Sequence, residues 1–160
     1  MNPIRIFLTL GLIILLFSGL IHMMTSIFVT TDTDPMVSAF DMSRPRAPSD
    51  ARKLKNPIPL SGDAISNGKA LYEGKGNCFV CHGMNGHGDG EAGVMLSPPP
   101  RNFTDVQFQR LRADGEIFWT IRYGIPDTAM FAFVPRHLTE EEVWMIVHYL
   151  RTMWKEEEPM

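Results

Sequence analysis

The chain is poor in several things, and each shortage removes a class of function. It has two cysteines in 160 residues, Cys78 and Cys81, too few and too close together for the disulfide framework of a small secreted domain. It has no basic cluster of five or more residues. With a net charge of −3 and a pI near 5.9 it lacks the electrostatic footprint of a nucleic-acid binder, so DNA and RNA are poor partners. Its length leaves room for one ordinary domain plus extras, and no multidomain enzyme fits.

Charge is also missing from one block. From Ile6 to Val29 there is no Asp, Glu, Lys or Arg over twenty-four residues. As a helix this block reaches about 36 Å, enough to cross a hydrocarbon core of about 30 Å with some tilt. A cleaved signal peptide would need a shorter apolar region and a nearby small-x-small site. The nearest acceptable triplet, Val37-Ser38-Ala39, lies well beyond the block. The expectation is therefore a retained single-pass anchor over residues 1–29, contacting lipid through 6–29. Arg5 precedes the span while Asp32 and Asp34 follow it, which puts the N-terminus in the cytoplasm and the rest outside the inner membrane. His22, inside the span, is read as a packing residue.

Residues 30–61 carry five prolines (Pro35, Pro45, Pro48, Pro57, Pro59) and no apolar periodicity, the pattern of a linker. As a flexible coil it would separate its ends by about 30 Å. Its basic residues Arg44, Arg46, Arg52, Lys53 and Lys55 are read as solvated linker charge, with anionic headgroups as the alternative partner. From 62 to 154 the pattern is helical and globular, followed by an acidic tail at 155–160.

Within the domain, Ala64 to Glu73 reads as a helix with Ile65, Leu71 and Tyr72 inward, stopped by Gly74 and Gly76. Phe103 to Leu111 is a shorter, partial one. Asp114 to Tyr123 has Asp114 as its expected cap, Ile117, Phe118 and Ile121 on one face, and Gly124 at its end. The last helix is the clearest: Thr139 to Glu142 forms a capping box, and Val143, Ile146, Val147, Leu150 and Trp154 follow one face. Strand formers are few, so the domain is expected to be all-α. The Gly- and Pro-rich stretches 83–102 and 124–136 need something to wrap around.

Cys78-Phe79-Val80-Cys81-His82 supplies it. Cys-x-x-Cys-His is the attachment sequence for a c-type haem: the thiols add to the two vinyl groups and the adjacent imidazole meets the iron. A thioredoxin-like pair would need a βαβ setting, and a zinc site would need a second ligand pair. The opposite axial position decides between electron transfer and small-molecule chemistry. Met130, between two helices, is the first candidate and Met95 the second. His87, His137 and His148 stay open as others. Met145 and Met153 are read as packing or surface residues on the last helix.

Residues 62–154 resemble a class I cytochrome c domain. The resemblance rests on Gly68 to Tyr72, Cys78 to Gly83, Gly86 to Gly90, Leu96 to Phe103, Asp114 to Phe118, the Met130 segment and Trp144 to Leu150. It is similar to the monohaem subunits of membrane electron-transfer complexes such as alternative complex III. Asp127 stands where the family often has Gly, and Phe131 where Pro often follows the ligand Met. The resemblance implies one covalent haem c on Cys78 and Cys81, with His82 and Met130 on the iron. It implies that a carbonyl among Pro98 to Pro100 accepts the His82 Nδ1–H, and that Arg101 and Arg122 pair with propionates. It implies a packing role for Gly68, Tyr72 and Trp144 where the first and last helices cross. The glycines at 83, 86, 88 and 90 form turns, with a calcium loop at Asp89 as a minor alternative.

The expected function is one-electron transfer in a respiratory or photosynthetic membrane complex, with a second redox protein docking at the haem edge. Residues 62–160 hold nine Lys/Arg against fourteen Asp/Glu, which favours a basic partner. The alternatives are a peroxidase-like or gas-binding haem protein with a displaceable sixth ligand, and a mainly structural subunit.

Overall fold

The computed structural model describes residue 11, residues 14–19 and residues 45–154. The chain divides into two units, Met1–Ser43 and Arg44–Met160. In the first, residues 14–19 are helical and Ile14, Leu15, Leu16 and Phe17 are 63–71% exposed. Most of the expected span 6–29, the linker up to residue 44 and the tail 155–160 lie outside the described residues. Among those described, no helix is long and apolar enough to cross a membrane.

The described residues of the second unit form six helices: α1 Ser49–Arg52, α2 Gly62–Glu73, α3 Phe79–His82, α4 Val106–Leu111, α5 Asp114–Tyr123 and α6 Glu140–Arg151. No strand occurs among the described residues, as the scarcity of strand formers predicts. Helix α2 starts two residues earlier than expected because the Ser61 hydroxyl accepts the Ala64 N–H at 3.1 Å. Its buried line is Ala64, Gly68 and Tyr72, at four-residue spacing, with Ile65 and Leu71 half-buried on the flanks. At Gly68 a Cβ would sit 2.7 Å from the Met145 carbonyl carbon and 3.0 Å from the Tyr149 Cβ. Only glycine lets α2 and α6 approach this closely. One turn on, Tyr72 is fully buried, its ring edge-on to Tyr149 at 5.4 Å.

Helix α6 carries the capping box foreseen at its start: the Thr139 hydroxyl accepts from the Glu142 N–H, and the Glu142 carboxylate accepts from the Thr139 N–H. Val143, Ile146, Val147 and Leu150 are at most 2% exposed. Trp144 stacks on Phe118 of α5, with centroids 4.1 Å apart, and belongs to the same core cluster as Tyr72. Trp154 lies past the end of α6, half-buried, with the Arg110 guanidinium 5.6 Å from its ring.

Two helix starts also differ. Asp105 caps α4 by accepting from Gln107 and Phe108 N–H, which leaves Phe103 outside that helix. In α5 the cap position is Ala113, whose N–H is taken by the Glu116 carboxylate at 3.1 Å. Asp114 instead accepts from Arg151 at 2.8 Å.

The largest departure concerns the expected linker. Its second half, from residue 45, is packed onto the domain. Ala47 and Ala51 are buried, and Gly115 of α5 lies directly against the Ala51 carbonyl. Arg46 forks onto both Glu116 oxygens at 3.1 Å, and Arg112 reaches the same carboxylate at 3.2 Å. Farther along, the Asn56 amide donates to the Trp144 carbonyl, and His148 Nε2 lies 2.8 Å from the Ile58 carbonyl. Proline-rich sequence does not imply freedom here, because its polar side chains satisfy buried groups on α5 and α6. The charge balance changes with it. The unit Arg44–Met160 holds fourteen Lys/Arg against fifteen Asp/Glu, so the acidic domain inferred from 62–160 alone is nearly neutral.

Glu116 is 2% exposed. Burial by itself would raise its pKa, but hydrogen bonds from Arg46 and the Ala113 N–H, with the charges of Arg46 and Arg112, hold it below the ordinary carboxylate value. The stabilisation is complete above the unfolded-state pKa and is lost as pH falls through the lower folded value. Glu116→Ala, which removes the carboxylate that Arg46 and Arg112 share, is expected to cost about 3 kcal/mol at neutral pH. Denaturant unfolding across pH 2–7 checks this, and part of the wild-type acid sensitivity should be absent from the variant.

Candidate functional site

The Cys-x-x-Cys-His sequence forms the short helix α3, with Cys78 as the residue before it. Both thiols are unpaired with one another and half-buried. The preceding turn is tight: Asn77 has φ +47°, Cys78 N–H donates to the Tyr72 carbonyl at 2.9 Å, and Gly76 packs against the Cys78 sulfur. Burial pushes the Cys78 thiol up to about 12. Redox-active Cys-x-x-Cys pairs depend on a depressed thiol pKa, so this environment runs opposite to the thioredoxin-like alternative.

Loop 83–93 folds back over the turn. Gly88 N–H donates to the His82 carbonyl, Gly90 N–H to that of Cys81 and Ala92 N–H to that of Val80, at 2.8–3.1 Å. A Cβ on Gly90 would collide with the carbonyls of Phe79 and Val80, so this position tolerates no side chain. Tyr72 also donates its hydroxyl to the Gly83 carbonyl at 2.7 Å, tying the loop to α2.

His82 Nδ1 lies 3.0 Å from the Arg101 carbonyl. A carbonyl only accepts, so Nδ1 carries the proton and Nε2 carries the lone pair. The accepting residue is Arg101, where a carbonyl among Pro98 to Pro100 was expected. The reason is register: Phe103 N–H bonds the Gly86 carbonyl at 2.6 Å, and the Pro100 carbonyl is pressed against Gly88. Those two contacts leave Arg101 opposite the imidazole, and Pro98 exposed. Phe103, assigned to a helix by its periodicity, instead stacks on the His82 ring at 4.4 Å and 20°. Its distance in sequence hid this role, since no local pattern connects residues 82 and 103.

Met130 is half-buried against the hydrophobic core, whereas Met95 is 89% exposed. Its loop closes on itself. The Met130 carbonyl accepts from Ile125 at 2.8 Å, and the Thr128 hydroxyl bridges the Met130 N–H and the Ile125 carbonyl. Asp127, standing where glycine is usual, has φ +59°, the left-handed region glycine favours. Phe131 is exposed and stacks on Phe133, with His137 edge-on to both. Of the other histidines, His148 is engaged by Ile58 and His87 by Thr104. Arg122 is ion-paired with Glu140 at 2.6 Å and lies over the Tyr123 ring, so the protein already provides this expected propionate partner with a carboxylate. The Arg101 guanidinium lies 5.8 Å from the Phe108 centroid. No group of three or more His, Cys, Asp or Glu suited to a metal occurs among the described residues, and Asp89 packs against Gly83.

The cytochrome c family model matches residues 65–154, more than half of the chain. The chain belongs to the cytochrome c family. Cytochromes c hold haem covalently, and the group here is one haem c on Cys78 and Cys81. The donor set fits it: two thiols on one turn and a histidine whose tautomer leaves Nε2 as the coordinating nitrogen. Among solved structures, this cytochrome is similar to a chain of the Kuenenia stuttgartiensis reducing HAO-like protein complex Kustc0457/Kustc0458, at 25% identity and TM-score 0.53. That match covers 64% of this chain and 50% of the other, so the cytochrome spans half the length of that relative. It is also similar to the KustC0563 c-type cytochrome, at 32% identity and TM-score 0.46, covering 55% of this chain and 98% of that one. No curated protein matches the sequence.

At Asp127 a β-branched side chain should be costly. Asp127→Val is expected to lose about 1–2 kcal/mol, while Asp127→Gly should not destabilise the loop. Unfolding midpoints of the two haem-loaded variants check this, and equal midpoints would count against strain at that residue.

Proposed function

We propose that the chain is a one-electron carrier: a membrane-anchored monohaem cytochrome c that works as a subunit of a larger redox complex. Bound haem c supplies an iron that takes up and returns one electron without a bond being made or broken in a substrate. The observation that carries this reading is an orientated His82 beside the two attachment cysteines; a half-buried Met130 in a self-closed loop supports it. His82 would hold the iron through Nε2, with its Nδ1–H donated to the Arg101 carbonyl so that the ring keeps its orientation and tautomer. Met130, half-buried against the core, would supply the second iron ligand. Two strong axial ligands favour electron transfer over catalysis at an open position.

Of the two arginines expected at the propionates, Arg122 would first have to leave Glu140, and the Arg101 backbone lies beside His82. The near balance of charge on Arg44–Met160 gives little reason to require a basic partner. Likeness to a chain of a named redox complex supports membership of an assembly. The uncharged block from Ile6 to Val29, with Ile14 to Phe17 exposed on a helix, supports a bilayer anchor in the inner membrane. Haem c attachment outside the cytoplasm agrees with the orientation set by Arg5, Asp32 and Asp34.

The ferric protein should show the near-red charge-transfer band of methionine sulfur on iron. Met130→Ala should abolish it and Met95→Ala should leave it intact. A high-spin spectrum in the native protein would overturn the carrier reading in favour of a ligand-binding haem. Separately, the full chain should stay with the membrane fraction after alkaline carbonate washing and be released by detergent. Recovery of the intact chain in the carbonate supernatant would remove the anchor.

A further inference from the structure

A cleft of about 400 Å³ opens beside the last turn of α6. It is lined by Met84, Asn85, His87, Thr104, Tyr149, Thr152 and Met153. Met84, His87 and Met153 border one space there, and the carrier function uses none of them. Met153 lies with its sulfur against Gly86, midway along the Met84–His87 loop, and Met84 is 51% exposed.

The protonation of His87 follows from its neighbours. Thr104 N–H donates to the Asn102 Oδ1 at 2.8 Å, which fixes that atom as the amide oxygen. The Thr104 hydroxyl donates its single proton to the same oxygen, also at 2.8 Å. Its lone pairs therefore meet His87 Nδ1 at 3.2 Å, so Nδ1 bears the hydrogen and Nε2 the lone pair. This is the outer-shell arrangement that readies an imidazole for a metal. Two of the donors are soft thioethers. Hard cations want oxygen donors and zinc takes three or four His, Cys or carboxylate ligands, whereas the cleft offers one imidazole and no carboxylate or thiolate; monovalent copper accepts thioether and imidazole.

We propose that Met84, His87 and Met153 form a Cu(I) site on the surface of the domain, separate from the haem ligands, with Thr104 and Asn102 holding the histidine in its metal-binding tautomer. Coordination is by lone-pair donation alone, so no electron or proton changes hands when the ion binds.

The test uses the full-length haem-loaded protein, in which the Cys78 and Cys81 thiols are already consumed. Cu(I) is titrated anaerobically against the chromophoric chelator bicinchoninate. One equivalent should be retained, and X-ray absorption should show sulfur and nitrogen neighbours. The Met84→Leu/Met153→Leu double variant and His87→Phe should each weaken binding at least tenfold. Thr104→Val should weaken it by about tenfold, as loss of an outer-shell partner does. Unchanged haem absorption spectra in all variants establish that they fold. Failure to hold Cu(I) against the chelator, or binding that survives the double variant and so belongs to other methionines, would overturn the proposal. Neither result bears on the methionine-to-iron band by which the carrier reading stands or falls.

Discussion

A helix of four residues cannot satisfy its own backbone, and much of the domain is arranged around that fact. The turn Phe79–His82 must carry two cysteines and a histidine, yet it leaves its carbonyls without partners inside the helix. Loop 83–93 provides them, with glycines where any side chain would strike the turn. The same loop then sets the register of residues 100–103 through the Gly86 carbonyl, and that register places Arg101 and Phe103 around His82. A hydrogen-bonding requirement at one short helix thus bears on the tautomer and ring orientation of the histidine of the attachment motif.

The docked segment 45–60 shows how a polar sequence can belong to a core. Its contribution is made through Arg46, Asn56 and the backbone of Ile58, and each meets a buried or half-buried group on α5 or α6. Glu116 is the centre of this arrangement: it caps α5, receives Arg46 and Arg112, and is almost completely buried. A charge shared among three partners needs little solvation, which is why an acidic residue is tolerated there. Basic residues that look like linker decoration also offset the acidity of the domain they pack against.

Legibility in sequence followed the range of the interactions. The attachment motif, the capping box of α6, the buried faces of α5 and α6 and the glycine after α5 are all local patterns, and all were readable. Asp127 was marked as standing in a glycine position, and its positive φ gives the reason that position usually holds glycine. Misreadings came where partners are far apart along the chain. Asp114 reads as a cap but pairs with Arg151, and the carbonyl facing His82 is that of Arg101, one to three residues beyond the prolines that the resemblance implies.

Composition and spacing were enough to establish an all-helical domain built on covalent haem, because two thiols and an imidazole at that interval have few other uses, and periodicity alone distinguishes helix from strand. They could also nominate Met130 over ten other methionines. Which carbonyl orients His82, which ring stacks on it, and where the domain truly begins depended on three-dimensional contacts. Those features arise from hydrogen bonds and packing between residues 19 to 90 positions apart, for which a single sequence carries no periodic or spacing signal.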